Sequence, residues 1–277
     1  MSTELPAVPP SDNRLTVCRD FAGLLRRHGL DTFESFYDER TGKLLRDLGQ
    51  RANLRLTLDA SGGKLTFFLK RHEPLGLTEK LKAWLRLARP VSHARTEWEN
   101  IGRLARLDIP TMQPVVLGED SLTGRSFLMT AEIVGGRPAD DFARERLAGD
   151  AAAAQRREFA RKLGRLVRKL HAAGMTHRDL YLCHVFVRED DQALRLHLID
   201  LQRVGRRRFR RRWEVKDIAQ LEYSRPPGVF SRTDAMRFLH AYFDTPGLDV
   251  RQKRFVASVL RKAKRMKKRK TIREMRR

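Results

Sequence analysis

Apolar and polar positions alternate in several short stretches of the chain, as they do in strands with one buried face. Residues 54–58 and 65–69 alternate in this way on either side of residues 59–63, which contain two adjacent glycines. Such a pair of strands around a glycine turn predicts a β-hairpin. Residues 114–118 and 125–131 predict two further strands of the same kind.

Elsewhere the apolar residues recur every three to four positions, which predicts helices with one buried face. On this basis helices are predicted at residues 18–28, 77–88, 93–107 and 151–171. The helix at 77–88 has a cationic rim and carries Trp84, so it suits core packing or an interfacial helix. Two short apolar strands, 185–187 and 194–198, follow the longest helix, and the rest is predicted to be mainly helical.

The order of these elements predicts an α+β protein with two lobes. Residues 1–39 form an N-terminal extension with a short helix. Residues 40–131 form a β-rich N-lobe with one key helix. Residues 132–277 form a mainly helical C-lobe that ends in a basic tail.

Positive charge dominates the composition. Lys and Arg total 58 against 34 Asp and Glu, a formal net charge of +24. Such a field attracts polyanions: nucleic acid, an anionic membrane face, a phosphorylated glycolipid or an acidic carrier protein. Cys18 and Cys183 are too few for a disulfide framework. With no secretory leader and no apolar run of spanning length, the expected location is the cytoplasm.

The strongest chemical signal follows the longest predicted helix. Here His177, Arg178 and Asp179 are consecutive, and His184 comes five residues after the aspartate. Catalytic loops of kinases have this form, in which the Asp accepts the proton of the attacking hydroxyl and a metal ligand follows five residues later. Asp200 ends an apolar strand sixteen residues further on, where such enzymes hold the metal that bridges the nucleotide phosphates.

A second pair of residues upstream fits the same chemistry. Lys70 follows the apolar strand 65–69 and suits the lysine that holds the α- and β-phosphates. On the helix predicted next, Glu97 shares a face with Ile101 and Leu104, so it points inward. Glu97 is therefore the predicted ion-pair partner of Lys70.

These segments together resemble a known family. Residues 68–70, 97–101, 177–184 and 199–201 resemble the bacterial lipopolysaccharide core heptose kinases, which belong with the 3-deoxy-manno-octulosonic acid kinases in the lipopolysaccharide kinase family. The resemblance runs from about Gly42 to the end of the chain. It implies a two-lobed, protein-kinase-like enzyme that uses ATP to phosphorylate a heptose hydroxyl of the lipopolysaccharide core precursor. It also implies a peripheral position at the cytoplasmic face of the inner membrane.

The resemblance assigns a role to each matching residue. Lys70 would bind the ATP phosphates, and Glu97 would orient Lys70. Asp179 would be the base, and Asp200 would bind Mg²⁺, or Mn²⁺ in its place. Further expected roles are adenine contact by the backbone of Glu132 and Ile133, and support of the catalytic loop by His177 and Asp217.

Two departures from the usual kinase pattern leave alternatives open. No G-x-G-x-x-G motif occurs, and residues 47–52, with one glycine, stand where the phosphate-covering loop is expected. Arg51 is the predicted source of charge in that loop. His184 replaces the metal-binding Asn of kinases, although Mg²⁺ prefers oxygen ligands. It is predicted either to bind the metal or to hydrogen-bond Asp179 or Asp200.

The remaining candidates are cations. Arg206, Arg207 and Arg208 begin an arginine-rich run just after Asp200 and, with Arg178, are predicted to bind an acidic acceptor. The tail at 261–277 by itself suits anionic lipid and equally nucleic acid. For the whole protein the predicted partners are the anionic inner-membrane surface and an acidic carrier protein, and nucleic acid is not favoured. Other acceptors also fit this sequence, namely another glycolipid sugar or protein hydroxyls. An inactive kinase fold that binds anionic surfaces is a further alternative.

Overall fold

The computed structural model describes residues 7–8, 12–38, 40–74, 91–190 and 193–274. The chain divides into two compact units. Unit 1 comprises Met1–Arg106 and Met112–Ile133, and unit 2 comprises Leu107–Thr111 and Val134–Arg277. The helix predicted at residues 77–88 lies outside the described residues.

Among the described residues of unit 1, seven strands form one antiparallel sheet in the order β1-β2-β6-β7-β5-β4-β3. The strands are β1 Ala7–Val8, β2 Leu15–Cys18, β3 Lys43–Asp47, β4 Arg51–Ala60, β5 Gly63–His72, β6 Pro114–Glu119 and β7 Ser126–Ala131. β4 and β5 form the predicted hairpin, in which Leu54 pairs with Leu69 and Leu58 with Leu65. All four leucines share one face of the pleat. Leu54, Leu58 and Leu69 are buried in the core, whereas Leu65, near the turn, is exposed.

The described part of unit 1 also contains the helices α1 at Arg19–Arg27 and α2 at His93–Arg106. α2 packs against β6 and β7 and buries Ile101 and Leu104, as the helical period predicts. Phe67 and Phe127 are fully buried on neighbouring strands of the sheet. Their rings contact Phe21 of α1 and Phe36, at 5.7 and 4.5 Å between centroids, so this face of the sheet packs on the segment that precedes β3.

Unit 2 is mainly helical. Its helices are α3 Ala139–Arg146, α4 Ala153–Ala172, α5 Arg210–Ser224, α6 Arg232–Phe243 and α7 Val250–Glu274. Its short strands are β8 Arg137–Pro138, β9 Met175–Thr176, β10 Val185–Asp190, β11 Ala193–Leu198 and β12 Gly205–Arg206. β10 lies between β11 and β8, and β12 pairs with β9.

α4 carries the main buried stripe of unit 2 and packs closely on α6. Its stripe of Phe159, Leu163 and Leu170 is buried. Gly164 permits the close approach, because a Cβ at this position would lie 2.5 Å from the carbonyl oxygen of Phe238 in α6. A larger residue there would force the two helices apart.

The predicted basic tail is largely the last helix of unit 2. In α7, Phe255, Val259 and Ala263 recur every four residues and are buried, and the helix packs against α5. The segment is thus part of the folded unit, and its cations occupy the other faces of the helix. Among the described helices, none combines the length and apolarity needed to cross a bilayer.

Candidate active site

Unit 1 contains a buried ion pair. Lys70 follows the buried Leu69 in β5, so its side chain points to the opposite face of the sheet. Its Nζ is 2.7 Å from Oε1 of Glu97 in α2, and the Glu97 side chain is fully buried. Both residues lie where the sequence predicts them, and the inward face assigned to Glu97 is the one observed.

The other unit 1 candidates lie at the ends of strands. Arg51 begins β4, directly after the turn in which Gly49 has a φ of 72°, and its Nε donates to Oδ1 of Asn53 at 3.1 Å. Glu132 and Ile133 follow β7 at the end of unit 1. The backbone N–H of Glu132 donates to the Thr66 carbonyl at 2.9 Å, so that N–H is already engaged within the sheet.

In unit 2 the carboxylate of Asp217 anchors the predicted catalytic loop through hydrogen bonds to its backbone. Asp217 of α5 is fully buried and accepts hydrogen bonds from the backbone N–H groups of His177 and Arg178, each at 2.7 Å. The His177 ring is also buried, and its Nε2 lies 3.0 Å from the Ile199 carbonyl. Burial lowers the pKa of His177, although the charge of Asp217 acts in the opposite direction. Both residues therefore occupy supporting positions.

The same face of α5 continues this support along the loop. Oε1 of Gln220 accepts from the backbone N–H of Leu180 at 3.2 Å, and Oγ of Ser224 accepts from that of Leu182 at 2.9 Å. Positions 217, 220 and 224 fall on one helical face. One face of α5 thus accepts hydrogen bonds from four backbone N–H groups of the loop, at positions 177, 178, 180 and 182.

A buried histidine extends the network beneath Asp217. Nε2 of His171 in α4 lies 3.2 Å from Oδ2 of Asp217, and its Nδ1 lies 2.9 Å from the Tyr242 hydroxyl of α6. The catalytic loop is therefore linked through buried polar groups to three helices. Sequence reasoning missed His171, whose one signal was its place in the helix that precedes the loop.

Asp179 lies at the surface of this frame and faces cations. Nη1 of Arg203 lies 3.0 and 2.7 Å from the two carboxylate oxygens, and Nζ of Lys216 lies 3.6 Å from Oδ1. Lys216 also donates to the Arg178 carbonyl. Burial lowers the pKa of Lys216, and the charge of Asp179 opposes that shift. Sequence reasoning missed both cations, although Lys216 precedes Asp217 and Arg203 lies three residues after Asp200.

Asp200 follows β11 in a left-handed conformation, with a φ of 57°. This is a conformation that Asp adopts more readily than most residues. It begins the single 3₁₀ turn Leu201–Arg203, so the same short segment carries Asp200 and Arg203. The candidate metal ligand, Asp200, and the cation that pairs with Asp179, Arg203, are therefore held at a short distance along one turn.

His184 lies between the two aspartates. Its Nδ1 is 2.7 Å from the Asp179 carbonyl, and its Nε2 is 3.8 Å from Oδ2 of Asp200. Burial opposes protonation, but hydrogen bonds with Cys183 and the Asp179 carbonyl, together with the charges of Cys183 and Asp200, raise the pKa of His184 to about 9. Nδ1 therefore makes the predicted hydrogen bond to Asp179, through its backbone carbonyl, while Nε2 faces the carboxylate of Asp200. Metal binding through Nε2 stays a prediction.

A divalent cation fits the carboxylate oxygens of Asp200. Among the described residues, no group of three or more His, Cys, Asp or Glu side chains could hold a metal ion by itself. Mg²⁺ bound with nucleotide needs only one or two carboxylates, because phosphates and water fill the other positions. The part-exposed carboxylate of Asp200 would be such a ligand.

The predicted acceptor arginines surround the catalytic loop of unit 2. Arg206 closes β12, and Arg207 and Arg208 follow it with exposed side chains. The guanidinium of Arg178 lies 5.0 Å above the Trp213 ring. Burial, then the charges of Arg207 and Arg203, lower the pKa of Arg178. Positive charge is therefore in excess around Asp179.

These groups define the class of the protein: a kinase-like phosphotransferase with an α+β fold. The chain belongs to the lipopolysaccharide kinase (Kdo/WaaP) family, whose pattern matches residues 41–242. Membership confirms the resemblance found in the sequence and the predicted enzyme class. A kinase family also implies ATP as the phosphoryl donor.

Individual relatives agree with this assignment. The lipopolysaccharide core heptose(I) kinase WaaP of Pseudomonas aeruginosa is 33% identical over 227 residues, which cover 79% of this chain and 83% of the relative. The protein of the same name from Escherichia coli K12 is 34% identical over 215 residues, covering 74% and 79%. A solved structure described as WaaP in complex with acyl carrier protein has a TM-score of 0.67 at 30% identity, covering 91% of this chain and 98% of that one.

Proposed function

We propose that this chain transfers the terminal phosphoryl group of ATP to a heptose hydroxyl of the lipopolysaccharide inner core. One observation carries the choice of acceptor: relatives that match about four fifths of the chain are named heptose(I) kinases of that core. The cation excess around Asp179 supports it, because an acidic glycolipid suits such a surface.

Asp179 is the base in this proposal. The acceptor oxygen forms a bond to the γ-phosphorus while the bond to the bridging oxygen breaks, and ADP leaves with that oxygen. The hydroxyl proton goes to Asp179. Lys70, oriented by Glu97, binds the ATP phosphates, and Asp200 holds the divalent cation. Mg²⁺ fits the oxygen donors best, with Mn²⁺ as its substitute.

Arg178, Arg206, Arg207 and Arg208 bind the acidic groups of the acceptor. Their part of unit 2 is polar and cationic, and three of the four side chains are exposed. Arginine suits the task because its planar guanidinium can bind phosphate or carboxylate with two hydrogen bonds.

The exposed cations of α7 hold the protein at the anionic inner face of the membrane. Phe255, Val259 and Ala263 fix the helix to the fold, while Lys264, Lys267 and Lys268 are exposed. Juxtamembrane cations contribute about 1 kcal/mol each near an anionic bilayer. This arrangement brings the enzyme to a lipid-borne acceptor.

An acyl carrier protein is the proposed protein partner, because the similar solved WaaP is in complex with one. Unit 2 offers an apolar cavity of about 120 Å³ whose lining includes Leu163, Ile218, Phe238 and Val259. An acyl chain would fit these side chains. Ala235→Trp, which fills the cavity, should weaken binding of the acylated carrier while binding of the unacylated carrier stays weak in both proteins. Equal binding of both carriers by the natural protein would contradict an acyl-chain contact.

Mass spectrometry of the lipopolysaccharide core tests the proposed acceptor. Deletion of the gene should remove one phosphate, about 80 Da, from the heptose region. The purified protein should restore it with ATP on core isolated from the deletion strain. Phosphate found on 3-deoxy-manno-octulosonic acid, or a core of unchanged mass, would show that heptose is not the acceptor. Transfer to protein in the same panel would favour the protein-hydroxyl alternative.

A further inference from the structure

The proposed base is paired with two cations. Arg203 lies within 3.0 Å of both oxygens of Asp179, and Lys216 lies 3.6 Å from one of them. The guanidinium of Arg203 thus occupies a hydrogen-bonding position on both carboxylate oxygens. An acceptor hydroxyl that donates its proton to Asp179 therefore competes with Arg203 for the same oxygens.

Moving Arg203 costs little if another anion replaces Asp179. The side chains of Arg203 and Asp179 are 44% and 19% exposed, so water screens their attraction. A neutral hydroxyl offers no charge in exchange, whereas a phosphate or carboxylate on the acceptor does. The ion pair thus distinguishes acidic acceptors from neutral ones, and from water.

The surroundings of the pair also favour an incoming anion. Arg178 and Lys216 lie at 5.0 and 5.8 Å from the ring of Trp213, and Arg207 is near enough to lower the pKa of Arg178. Four cations therefore share this region with Asp179. An acceptor anion that enters here can pair with these cations. The carboxylate of Asp179 is then available to accept the hydroxyl proton.

We propose that Arg203 determines specificity for acidic acceptors: it pairs with Asp179 in the absence of acceptor and transfers to a phosphate or carboxylate of the bound acceptor. Lys216 stays beside Asp179 throughout. The proposal rests on the proposed function, since it takes Asp179 as the base. It predicts that Arg203 suppresses ATP hydrolysis, because water carries no anion to displace it.

Steady-state kinetics of Arg203→Met test this exchange, with core lipopolysaccharide from the deletion strain as the acceptor. The acceptor KM should rise about tenfold or more, as expected for a lost charge-assisted hydrogen bond, and the KM for ATP should not change. ATP hydrolysis without acceptor should rise about fivefold, because the ion pair no longer restrains Asp179. Arg203→Lys, which keeps the charge, should lie between Arg203→Met and the natural enzyme.

Arg188→Met is the matched control. Arg188 forms a two-bond pair with Asp190 in the same unit, at 2.6 and 2.7 Å, away from the catalytic loop. It should change neither acceptor KM nor ATP hydrolysis. Thermal unfolding of all variants checks that each is folded.

Modified acceptors identify the acidic group. One preparation has its phosphates removed by hydrofluoric acid, and another has its carboxylates converted to amides. The modification that removes the partner of Arg203 should raise the acceptor KM of the natural enzyme but not that of Arg203→Met. If neither modification has an effect, the exchange is overturned.

Asp179→Asn separates the hypothesis about Arg203 from the assignment of Asp179 as the base. If Arg203→Met leaves acceptor KM and ATP hydrolysis unchanged while Asp179→Asn is inactive, the role of Arg203 is wrong and the base assignment stands. If Asp179→Asn keeps near-normal turnover, the base assignment itself is wrong.

Discussion

The two units hold their reactive charges in contrasting ways. In unit 1, Lys70 and Glu97 form a pair in which the Glu97 side chain is fully buried and the Lys70 side chain is 15% exposed. In unit 2, Asp179 faces two cations and remains partly exposed, while its loop is anchored through Asp217. The ion pair of unit 1 joins a strand to a helix, whereas Asp179 of unit 2 lies on a loop whose backbone is hydrogen-bonded to α5.

This difference suits two different tasks. A buried pair is costly to break, because loss of one partner leaves a charge in the interior, so its geometry is set before the nucleotide arrives. A part-exposed cluster can exchange partners at small cost. We infer that the charges proposed to bind the nucleotide phosphates are preformed, whereas those proposed to meet the acceptor rearrange when substrate binds.

Removal of Lys70 should have the largest effect on stability. Lys70→Met leaves the Glu97 carboxylate buried without its ammonium, so the free energy of unfolding should fall by about 3–5 kcal/mol. Urea unfolding measures this, with Lys64→Met on the exposed part of the same strand as the control. The double variant Lys70→Met/Glu97→Met should recover much of the loss. A Lys70→Met protein as stable as the control would show that the pair is not tightly held.

Asp179→Asn should affect rate rather than stability. Turnover should fall by at least about 10²-fold, the usual contribution of a general base, while nucleotide binding is retained. Asp200→Ala should instead abolish metal-dependent nucleotide binding, since its carboxylate is the proposed cation ligand. Isothermal titration with nucleotide, with and without Mg²⁺, separates the two variants. Loss of nucleotide binding in Asp179→Asn would mean that the aspartate is structural.

The charges of α7 should have a smaller effect on membrane binding. Lys264→Gln, Lys267→Gln and Lys268→Gln together should weaken binding to phosphatidylglycerol vesicles by about 1 kcal/mol for each lysine that reaches the surface, less at high salt. Turnover on detergent-solubilised acceptor should survive, because Phe255, Val259 and Ala263 still hold the helix.

The matched control removes three exposed arginines from α4, at positions 157, 161 and 165. Their loss should weaken vesicle binding less than the α7 changes do. Equal loss in the two variants would indicate a general effect of net charge rather than a surface formed by α7.

The two cysteines report on the units separately and carry the smallest expected effect. Burial, with a further contribution from Asp20, raises the pKa of Cys18 to about 11, so its thiol stays protonated and shielded at pH 8. Cys183 is exposed beside His184. One thiol should therefore react quickly with a disulfide reagent in the native protein and two in denaturant. Fast reaction of both would show that unit 1 opens readily.

The sequence alone determined most of the secondary structure. The hairpin of β4 and β5, the helix α2 and the striped helix α4 follow from periods of two and of 3.6 residues, which depend only on neighbouring side chains. The same local logic placed Glu97 on the inward face of its helix, next to Ile101. Spacing also placed Asp179 on a loop and Asp200 at a strand end.

Only the tertiary structure decided which partners surround those residues. Asp217 reaches the catalytic loop across 40 positions of sequence, and Arg203 reaches Asp179 across 24. The basic tail became a packed helix because Phe255 and Val259 found apolar neighbours in unit 2. No local period encodes such contacts, because they arise when elements distant in sequence pack together, and so the cations at Asp179 could not be predicted from spacing.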